Sequence, residues 1–256
     1  PAREGPAGES NSNQRPSRGK EKSFADPEDE FFPAETAKLY DDVVDHGLNV
    51  VVLADWYHTG VMEAIKFLDD NTQRVWSPIT GGANLPAVND LLEMFGVAFG
   101  DRVFDGVFSL GSHQGEVRSG AALASFPPVG DVFYMDLIDA TPEHLGRHRG
   151  MPEFVPMIGV LDVNDLTDLM NSTGDALESE MTAGRLAVFG DASCADDKTI
   201  DRSRKDNVGS AFDCLWLVEA LVDYALTGTT SPFQDPQLLA RQPHKMEYAE
   251  SLPLRT

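Results

Sequence analysis

The chain has 256 residues, 41% of them apolar, and its 42 acidic and 20 basic side chains give a formal charge of −22. This length and composition predict one ordinary domain with tails, and the acidic balance argues against a nucleic-acid surface or an anionic membrane as a partner. No apolar run approaches the roughly 18–20 residues of a membrane-spanning helix, and no leader peptide is recognisable, so we expect no membrane segment in this chain.

Residues 1–25 are predicted to form a disordered N-terminal tail. The first 22 residues contain five basic and three acidic side chains, and no Val, Ile, Leu, Met or aromatic residue. Such a segment cannot bury enough apolar surface to join a core.

The first regular elements are a helix and a strand. Pro33 suits the first turn of a helix, and Gly47 is predicted as its C-cap. The apolar run Leu48–Leu53 follows, and it is typical of a strand buried on both faces. Helix followed by buried strand indicates an α/β fold.

The same pattern recurs along the chain. We predict a helix over Pro86–Phe95 closed by Gly96, a second buried strand at Arg185–Phe189, and a helix over Phe212–Leu226 capped by Gly228. The apolar side of this last helix is predicted to consist of Phe212, Leu215, Trp216, Val222 and Leu226.

Three further segments are predicted to be extended, namely Val103–Leu110, Val132–Leu137 and Met157–Val163. Gly and Pro separate them, which favours an antiparallel or mixed insertion over further βα units. From Thr229 onward Pro, Gln, Arg and Glu dominate, so residues 229–256 are predicted to be a mobile C-terminal tail.

One loop is placed where α/β proteins bind ligands. Asp55, Trp56, Tyr57 and His58 come just after the first buried strand, at its carboxyl edge. They form a candidate contact surface. The favoured interpretation is that the aromatic residues pack over the sheet edge while Asp55 caps the next helix.

No nucleophile pattern supports hydrolase chemistry. Ser112 and His113 are adjacent, which does not make a triad, and the chain contains no G-x-S-x-G. Gly81-Gly82-Ala83-Asn84 precedes a helix and could hold an anion, although a tight turn explains it equally well. We therefore expect no catalytic residue and no cofactor.

Metal sites are also not expected. An acidic loop follows the second strand and invites a calcium hypothesis, but its spacing matches no EF-hand, so a solvated loop is favoured; its members are Asp191, Asp196, Asp197, Asp201 and Asp206. His144 and His148 have i, i+4 spacing in a Gly- and Arg-rich stretch that is a poor helix, which argues against zinc.

Two features depend on the compartment. Cys194 and Cys214 would be thiols in a reducing cytosol, or a bridge across a loop of about 20 residues in a secretory compartment. Asn171, with Ser172 and Thr173, forms an N-glycosylation sequon that has meaning only in the lumen.

Several ordered strings resemble the site-1 protease family of subtilisin/kexin-like enzymes. They include Asp55-Trp56-Tyr57, Thr80-Gly81-Gly82-Ala83-Asn84-Leu85-Pro86-Ala87, Phe189-Gly190-Asp191-Ala192-Ser193-Cys194 and Asp213-Cys214-Leu215-Trp216-Leu217. The resemblance covers roughly residues 26–228. In that family these strings lie downstream of the catalytic domain, and the family's Asp, His and Ser motifs have no counterpart here.

The resemblance implies a non-catalytic lumenal module of a membrane-anchored serine endopeptidase that cleaves membrane-anchored transcription factor precursors in the endoplasmic reticulum and Golgi. Its partners would be the upstream catalytic domain and a lumenal protein. The strand and turn pattern around Arg185–Phe189 also looks like the class I glutamine amidotransferase-like, flavodoxin-like sheet with helices on both faces, here incomplete. The implied modifications are a Cys194–Cys214 disulfide and a glycan on Asn171.

Two other function classes stay open. One is a stand-alone ligand-binding or scaffold domain of the amidotransferase-like superfamily. The other is an unrelated hydrolase that uses Asp55, His58 or Ser112.

Overall fold

The structure is a computed structural model that describes residues 30–64, 67–76, 84–110, 113–141, 152–171, 182–195, 214–230, 233, 246 and 251–254. The predicted tail over residues 1–25 lies outside them. In chain order the elements are α1 (Pro33–Val44), β1 (Val50–Leu53), α2 (Thr59–Ala64), β2 (Phe67–Asp69), β3 (Arg74–Trp76), α3 (Leu85–Leu92), β4 (Ala98–Leu110), β5 (His113–Ser125), β6 (Asp131–Asp139), β7 (Glu153–Asp162), α4 (Val163–Asn171), β8 (Arg185–Phe189) and α5 (Leu215–Thr227). Short 3-10 turns lie at Glu93–Phe95 and Ser193–Ala195.

Six strands form a mixed sheet in the order β1-β8-β7-β6-β4-β5. β1 and β8 run parallel, and the other neighbours are antiparallel. The predicted antiparallel or mixed character of the middle segments is therefore confirmed. The sheet curls, so that β5 reaches β7 and the Ala121 amide donates to the Gly190 carbonyl over 2.7 Å. β2 and β3 form a separate hairpin.

Helices cover both faces of the sheet, and this explains why the residues of β8 after Arg185 are all apolar. Leu186 and Val188 point into a core shared with α1, α3 and α4, while Ala187 and Phe189 point into a core shared with α5. Successive side chains of a strand alternate between faces, so a strand between two cores must be apolar at every position. The prediction of a buried strand at Arg185–Phe189 is confirmed.

The other predicted strand is less buried than expected. β1 spans Val50–Leu53, and all four of its side chains are half-buried. The reason is its place in the sheet: β1 is an edge strand that pairs with β8 alone. The apolar sequence of this strand does not reveal that one of its edges is unpaired.

The helix ends agree with the glycine signals. Gly96 and Gly228 adopt left-handed φ values of 71° and 74° after the turns that they close, and Gly47 has φ 69° two residues beyond Asp45, the C-cap of α1. Only glycine takes these conformations without strain, which explains why the predicted ends are close to the observed ones.

The predicted apolar side of the last helix is wrong. α5 buries Leu217, Ala220, Leu221, Tyr224 and Ala225, whereas Val222 and Leu226 are exposed. Leu215 and Trp216 are half-buried, and Phe212 lies outside the described residues. The buried positions follow the i, i+3, i+4, i+7, i+8 spacing of a single helix face, which the predicted set did not.

Described parts of residues 229–256 contact the domain, which differs from the expectation of a mobile tail. Phe233 is fully buried, with its ring centroid 4.9 Å from that of Phe133. Ser251–Leu254, which we call the strap, hydrogen-bonds to both β4 and the loop after β1. The domain boundary at residue 228 stays a prediction.

Candidate functional site

The candidate site lies at the carboxyl ends of β1 and β8. The Ala54 amide donates to the Phe189 carbonyl over 2.8 Å, which extends the parallel pairing by one residue. Asp55 and Asp191 follow directly on the two strands. This is the edge at which open α/β sheets place ligands, as the sequence predicted for Asp55.

Asp191 is a fully buried carboxylate held by backbone and hydroxyl donors. The Ser193 amide donates to its Oδ1 over 2.8 Å, and its Oδ2 accepts from the Ser193 hydroxyl over 2.8 Å and from the Arg118 amide over 2.7 Å. Burial raises the pKa of Asp191 above its ordinary value, although these hydrogen bonds oppose the shift. Asp191 therefore fixes the turn after β8 against β5.

The favoured interpretation of a solvated acidic loop is wrong for Asp191, because the curled sheet brings β5 over this turn. The other four aspartates of that loop lie outside the described residues: Asp196, Asp197, Asp201 and Asp206. No group of three or more metal-ligating side chains occurs among the residues that the structure describes.

Asp55 is partly buried, and its Oδ1 accepts from the amide of the next residue, Trp56, over 2.7 Å. Burial raises the pKa of Asp55 to about 6, the hydrogen bond from Trp56 opposes the rise, and the nearby Asp191 carboxylate adds to it. Asp55 thus does not cap the next helix as expected. Its carboxylate instead accepts from the amide of the residue that follows it.

Tyr57 and His58 lie inside the fold. Tyr57 is 1% exposed and donates its hydroxyl to the Leu254 carbonyl over 2.7 Å. His58 is 9% exposed, and its Nδ1 accepts from the Val61 amide over 3.2 Å, which leaves the ring proton on Nε2. Trp56 is half-buried against the core below α1 and α3. The aromatic part of the loop therefore packs, which agrees with the favoured interpretation.

Two residues of β5 tie this edge together. The Arg118 amide donates to the Asp191 carboxylate, and the next amide, that of Ser119, donates to Asp105 Oδ1 over 2.6 Å. Ser119 has φ 61°, a left-handed value uncommon for a residue with a side chain. The carboxylates at this edge therefore hold backbone, a role that the sequence did not suggest for Asp105 or Asp191.

The other sequence candidates do not join this site. His113 stacks on Trp216 with ring centroids 4.6 Å apart, and Asn84 serves as the N-cap of α3 by accepting from the Ala87 amide. Residues 81–83, Ser112, His144 and His148 lie outside the described residues. In the part of the chain that is described, the Ser193 hydroxyl bonds to a carboxylate rather than to an imidazole.

The compartment-dependent residues are placed only in part. Cys194 lies in the 3-10 turn Ser193–Ala195, which packs against α5, and the buried Cys214 is the N-cap residue of that helix. Asn171 is the last residue of α4. The side chains of Cys194 and Asn171 lie outside what the structure describes, so their pairing and glycosylation stay predictions. No helix in the described ranges is long and apolar enough to cross a membrane.

A family model and several known proteins match most of this chain. Residues 20–240 match the family model described as MBTPS1, fourth GATase-like domain. The chain is 36% identical over 209 residues to the human membrane-bound transcription factor site-1 protease and 37% identical to the mouse protein, covering 82% of this chain in each case. It is 33% identical over 222 residues to the Arabidopsis thaliana subtilisin-like protease SBT6.1.

The matches cover only 17–18% of those relatives, so the chain corresponds to one module of a much longer protein. The mixed sheet with helices on both faces is the glutamine amidotransferase-like fold predicted from the sequence. The chain belongs to the family of the fourth glutamine amidotransferase-like domain of site-1 protease.

Proposed function

We propose that this chain is a non-catalytic lumenal module of a site-1-type, subtilisin-like serine endopeptidase of the secretory pathway. It supports the upstream catalytic domain of a membrane-anchored parent that cleaves membrane-anchored transcription factor precursors. The relatives named as membrane-bound transcription factor site-1 protease support the identity of the parent.

The observation that carries the non-catalytic role is the use of polar groups at the sheet edge. Asp191, Asp105 and Asp55 accept from backbone amides, and His58 Nδ1 does the same. A catalytic base must reach the proton of a nucleophile or substrate, and a nucleophile must lie beside a base. Groups that hold the backbone at these positions instead stabilise the shape of the edge.

The test separates support from chemistry in the full-length parent. The double variant Trp56→Ala, Tyr57→Ala removes packing and the bond to Leu254, so we expect reduced maturation and secretion with normal turnover per mature molecule. Asp55→Asn keeps the shape of the loop and the acceptor for Trp56, and we expect normal maturation and normal turnover.

Lys38→Ala serves as the control, because Lys38 is an exposed surface residue of α1. If Asp55→Asn matures normally while its turnover on a precursor collapses, the edge is an active or substrate site. That result would favour the hydrolase class over a support role.

We further propose a disulfide between Cys194 and Cys214. The packing of the turn Ser193–Ala195 on α5 supports it, since it brings the two backbone segments together. In the chain-entropy model a bridge across a loop of this length contributes about 3 kcal/mol. Two alkylatable thiols in non-reduced, secreted protein would contradict the pairing.

Asn171 is the proposed glycan site. Its place at the last residue of α4 supports this role, because a helix terminus leads into the following connection. We expect a shift in gel mobility after glycosidase treatment of secreted protein, and none for Asn171→Gln. An unchanged mobility of the unsubstituted protein would contradict the proposal.

A further inference from the structure

The strap Ser251–Leu254 is docked on the candidate edge by its backbone. The Asp101 amide donates to the Ser251 carbonyl over 2.9 Å. The Leu254 amide donates to the Thr59 hydroxyl over 3.1 Å, and the Leu254 carbonyl accepts from the Tyr57 hydroxyl over 2.7 Å. Three hydrogen bonds therefore join this four-residue segment to β4, to α2 and to the loop between β1 and α2.

The residues that bind the strap are also hydrogen-bonded to one another. The Thr59 amide at the start of α2 donates to Asp101 Oδ1 on β4 over 2.8 Å. Thr59 and Asp101 thus bond to each other and each also bonds to the strap. Tyr57 forms the third side, with its ring buried and its hydroxyl aimed at the peptide. Because other contacts already hold these groups in place, binding a peptide costs little additional ordering of the groove.

The strap presents its backbone and one ring inward, and its leucines outward. Leu252 is 53% exposed and Leu254 is 66% exposed, whereas Pro253 is buried. Proline has no amide proton, so its burial leaves no donor without an acceptor. It also biases the preceding residue toward extended backbone. In other proteins, aromatic-lined grooves bind proline-containing extended peptides, and main-chain hydrogen bonds hold extended peptides in place.

We propose that Tyr57, Thr59 and Asp101 form a docking groove for an extended peptide with a central proline, and that its occupant in this chain is the strap. The strap lies beyond residues 20–240, the part that matches the family model. Recognition depends on the proline and on the backbone, and it tolerates changes in the flanking side chains. The groove is therefore an exchangeable peptide site that the chain closes in cis, and this inference does not depend on the proposed function.

A release variant of the full chain tests the exchange. Pro253→Asp places a carboxylate where the ring is buried and so displaces the strap. A fluorescein-labelled peptide of residues 247–256 should then bind this variant saturably, measured by fluorescence polarisation. Binding to the unsubstituted chain should be at least about tenfold weaker, because its own strap occupies the groove.

Matched peptides test the recognition rule. An unlabelled Leu252→Ala peptide should compete as well as the original, and a Pro253→Asp peptide should not compete. Adding Tyr57→Phe to the release variant should weaken binding about fivefold, the effect of one hydrogen bond of about 1 kcal/mol. Absence of saturable binding to a folded release variant, or equal competition by both peptides, overturns the proposal.

If the release variant does not fold, hydrogen exchange on the intact chain tests whether the groove holds the strap. The Leu254 amide should be protected, and Thr59→Val, which removes its acceptor, should accelerate its exchange. Thr227→Val is the control, since the Thr227 hydroxyl donates within α5 to the Asp223 carbonyl. An unprotected Leu254 amide in the unsubstituted chain, or equal exchange in the two variants, means that the groove does not hold the strap.

Discussion

Two polar regions of this domain shift the pKa of their carboxylates in opposite directions. At the edge after β1 and β8, Asp55 and Asp191 lie near each other and bond to backbone amides, and burial raises the pKa of both. Where β4, β6 and β7 meet, Arg102 bridges Asp139 and Glu153, with nitrogen to oxygen distances of 2.7 and 2.9 Å.

The pKa of Asp139 is shifted in the opposite direction. Burial alone would raise this pKa, but hydrogen bonds from Thr141 and Arg102 outweigh burial and hold it below its ordinary value. Asp191 is fully buried, and there burial outweighs three backbone or hydroxyl donors. Hydrogen bonds from neighbouring amides therefore fix a deeply buried carboxylate in place without keeping its charge favourable, and the two regions give the domain opposite responses to pH.

The largest expected effect comes from Asp191→Ala. It leaves the amides of Ser193 and Arg118 without their acceptor at a buried turn. Since each buried donor without a partner costs about 1–3 kcal/mol, we expect the free energy of unfolding to fall by about 3 kcal/mol in urea titrations. Asp105→Ala is the control: Asp105 is exposed and holds one amide, so about 1 kcal/mol or less is expected. Equal losses would contradict the importance of burial.

The second effect is a gain of stability in Asp55→Asn. The pKa of Asp55 in the folded chain, about 6, lies above its ordinary value of 3.8. Between about pH 4 and 6 the folded state therefore binds more protons than the unfolded state, and the free energy of unfolding falls as pH rises through this window.

Asparagine removes this dependence and still accepts from the Trp56 amide. A shift of about two units corresponds to about 3 kcal/mol, which solvent screening of a partly exposed group reduces to about 1–2 kcal/mol. We expect Asp55→Asn to be more stable by this amount at pH 7 and unchanged at pH 4, measured by urea unfolding at both values. A variant that is less stable at pH 7 would show that the carboxylate stabilises the fold.

The sequence predicted the elements whose signals are local. Gly47, Gly96 and Gly228 mark helix ends because left-handed backbone favours glycine wherever it occurs. The apolar pattern at Arg185–Phe189 indicates a strand between two cores, and the position of Asp55 after a strand indicates the sheet edge. Each of these inferences needs only the residues next to it.

What the sequence did not predict depends on distant contacts. β5 was not predicted because His113–Ser125 is rich in Gly and Ala, which are depleted in strands. A Cβ on Gly120 would lie 2.9 Å from the Gly190 carbonyl oxygen, so the close approach of β5 to β8 requires small residues. The burial of Asp191 follows from the same approach. Helix α4 and the hairpin β2–β3 were likewise not predicted.

The third prediction concerns the region with the cation. Arg102→Met removes the partner of Asp139 and the guanidinium 4.8 Å from the centre of the Phe104 ring. Because the pKa of Asp139 is lowered in the folded state, its contribution is complete above about pH 4 and is lost as pH falls below that value. We expect a loss of about 1 kcal/mol at pH 7, since the pair is partly solvated. The difference should shrink as the pH falls below about 4, and a constant difference would mean that packing, not charge, is lost.

The smallest and most discriminating effect is a difference between two double-mutant cycles. Burial is the main cause of the raised pKa of Asp55, and Asp191 contributes least among the causes. We therefore expect the coupling between Asp55→Asn and Asp191→Asn to be about 0.5 kcal/mol or less at pH 7. Arg102→Met and Asp139→Asn remove a direct charge-assisted hydrogen bond, so their coupling should be about 1 kcal/mol. Asp191→Asn keeps only one of the two oxygens that accept from backbone amides, but the cycle subtracts the loss that each single substitution causes alone and leaves the interaction between the two side chains. A larger coupling at the edge than at Arg102 would show that repulsion between the carboxylates, rather than burial, sets the pH response of this domain.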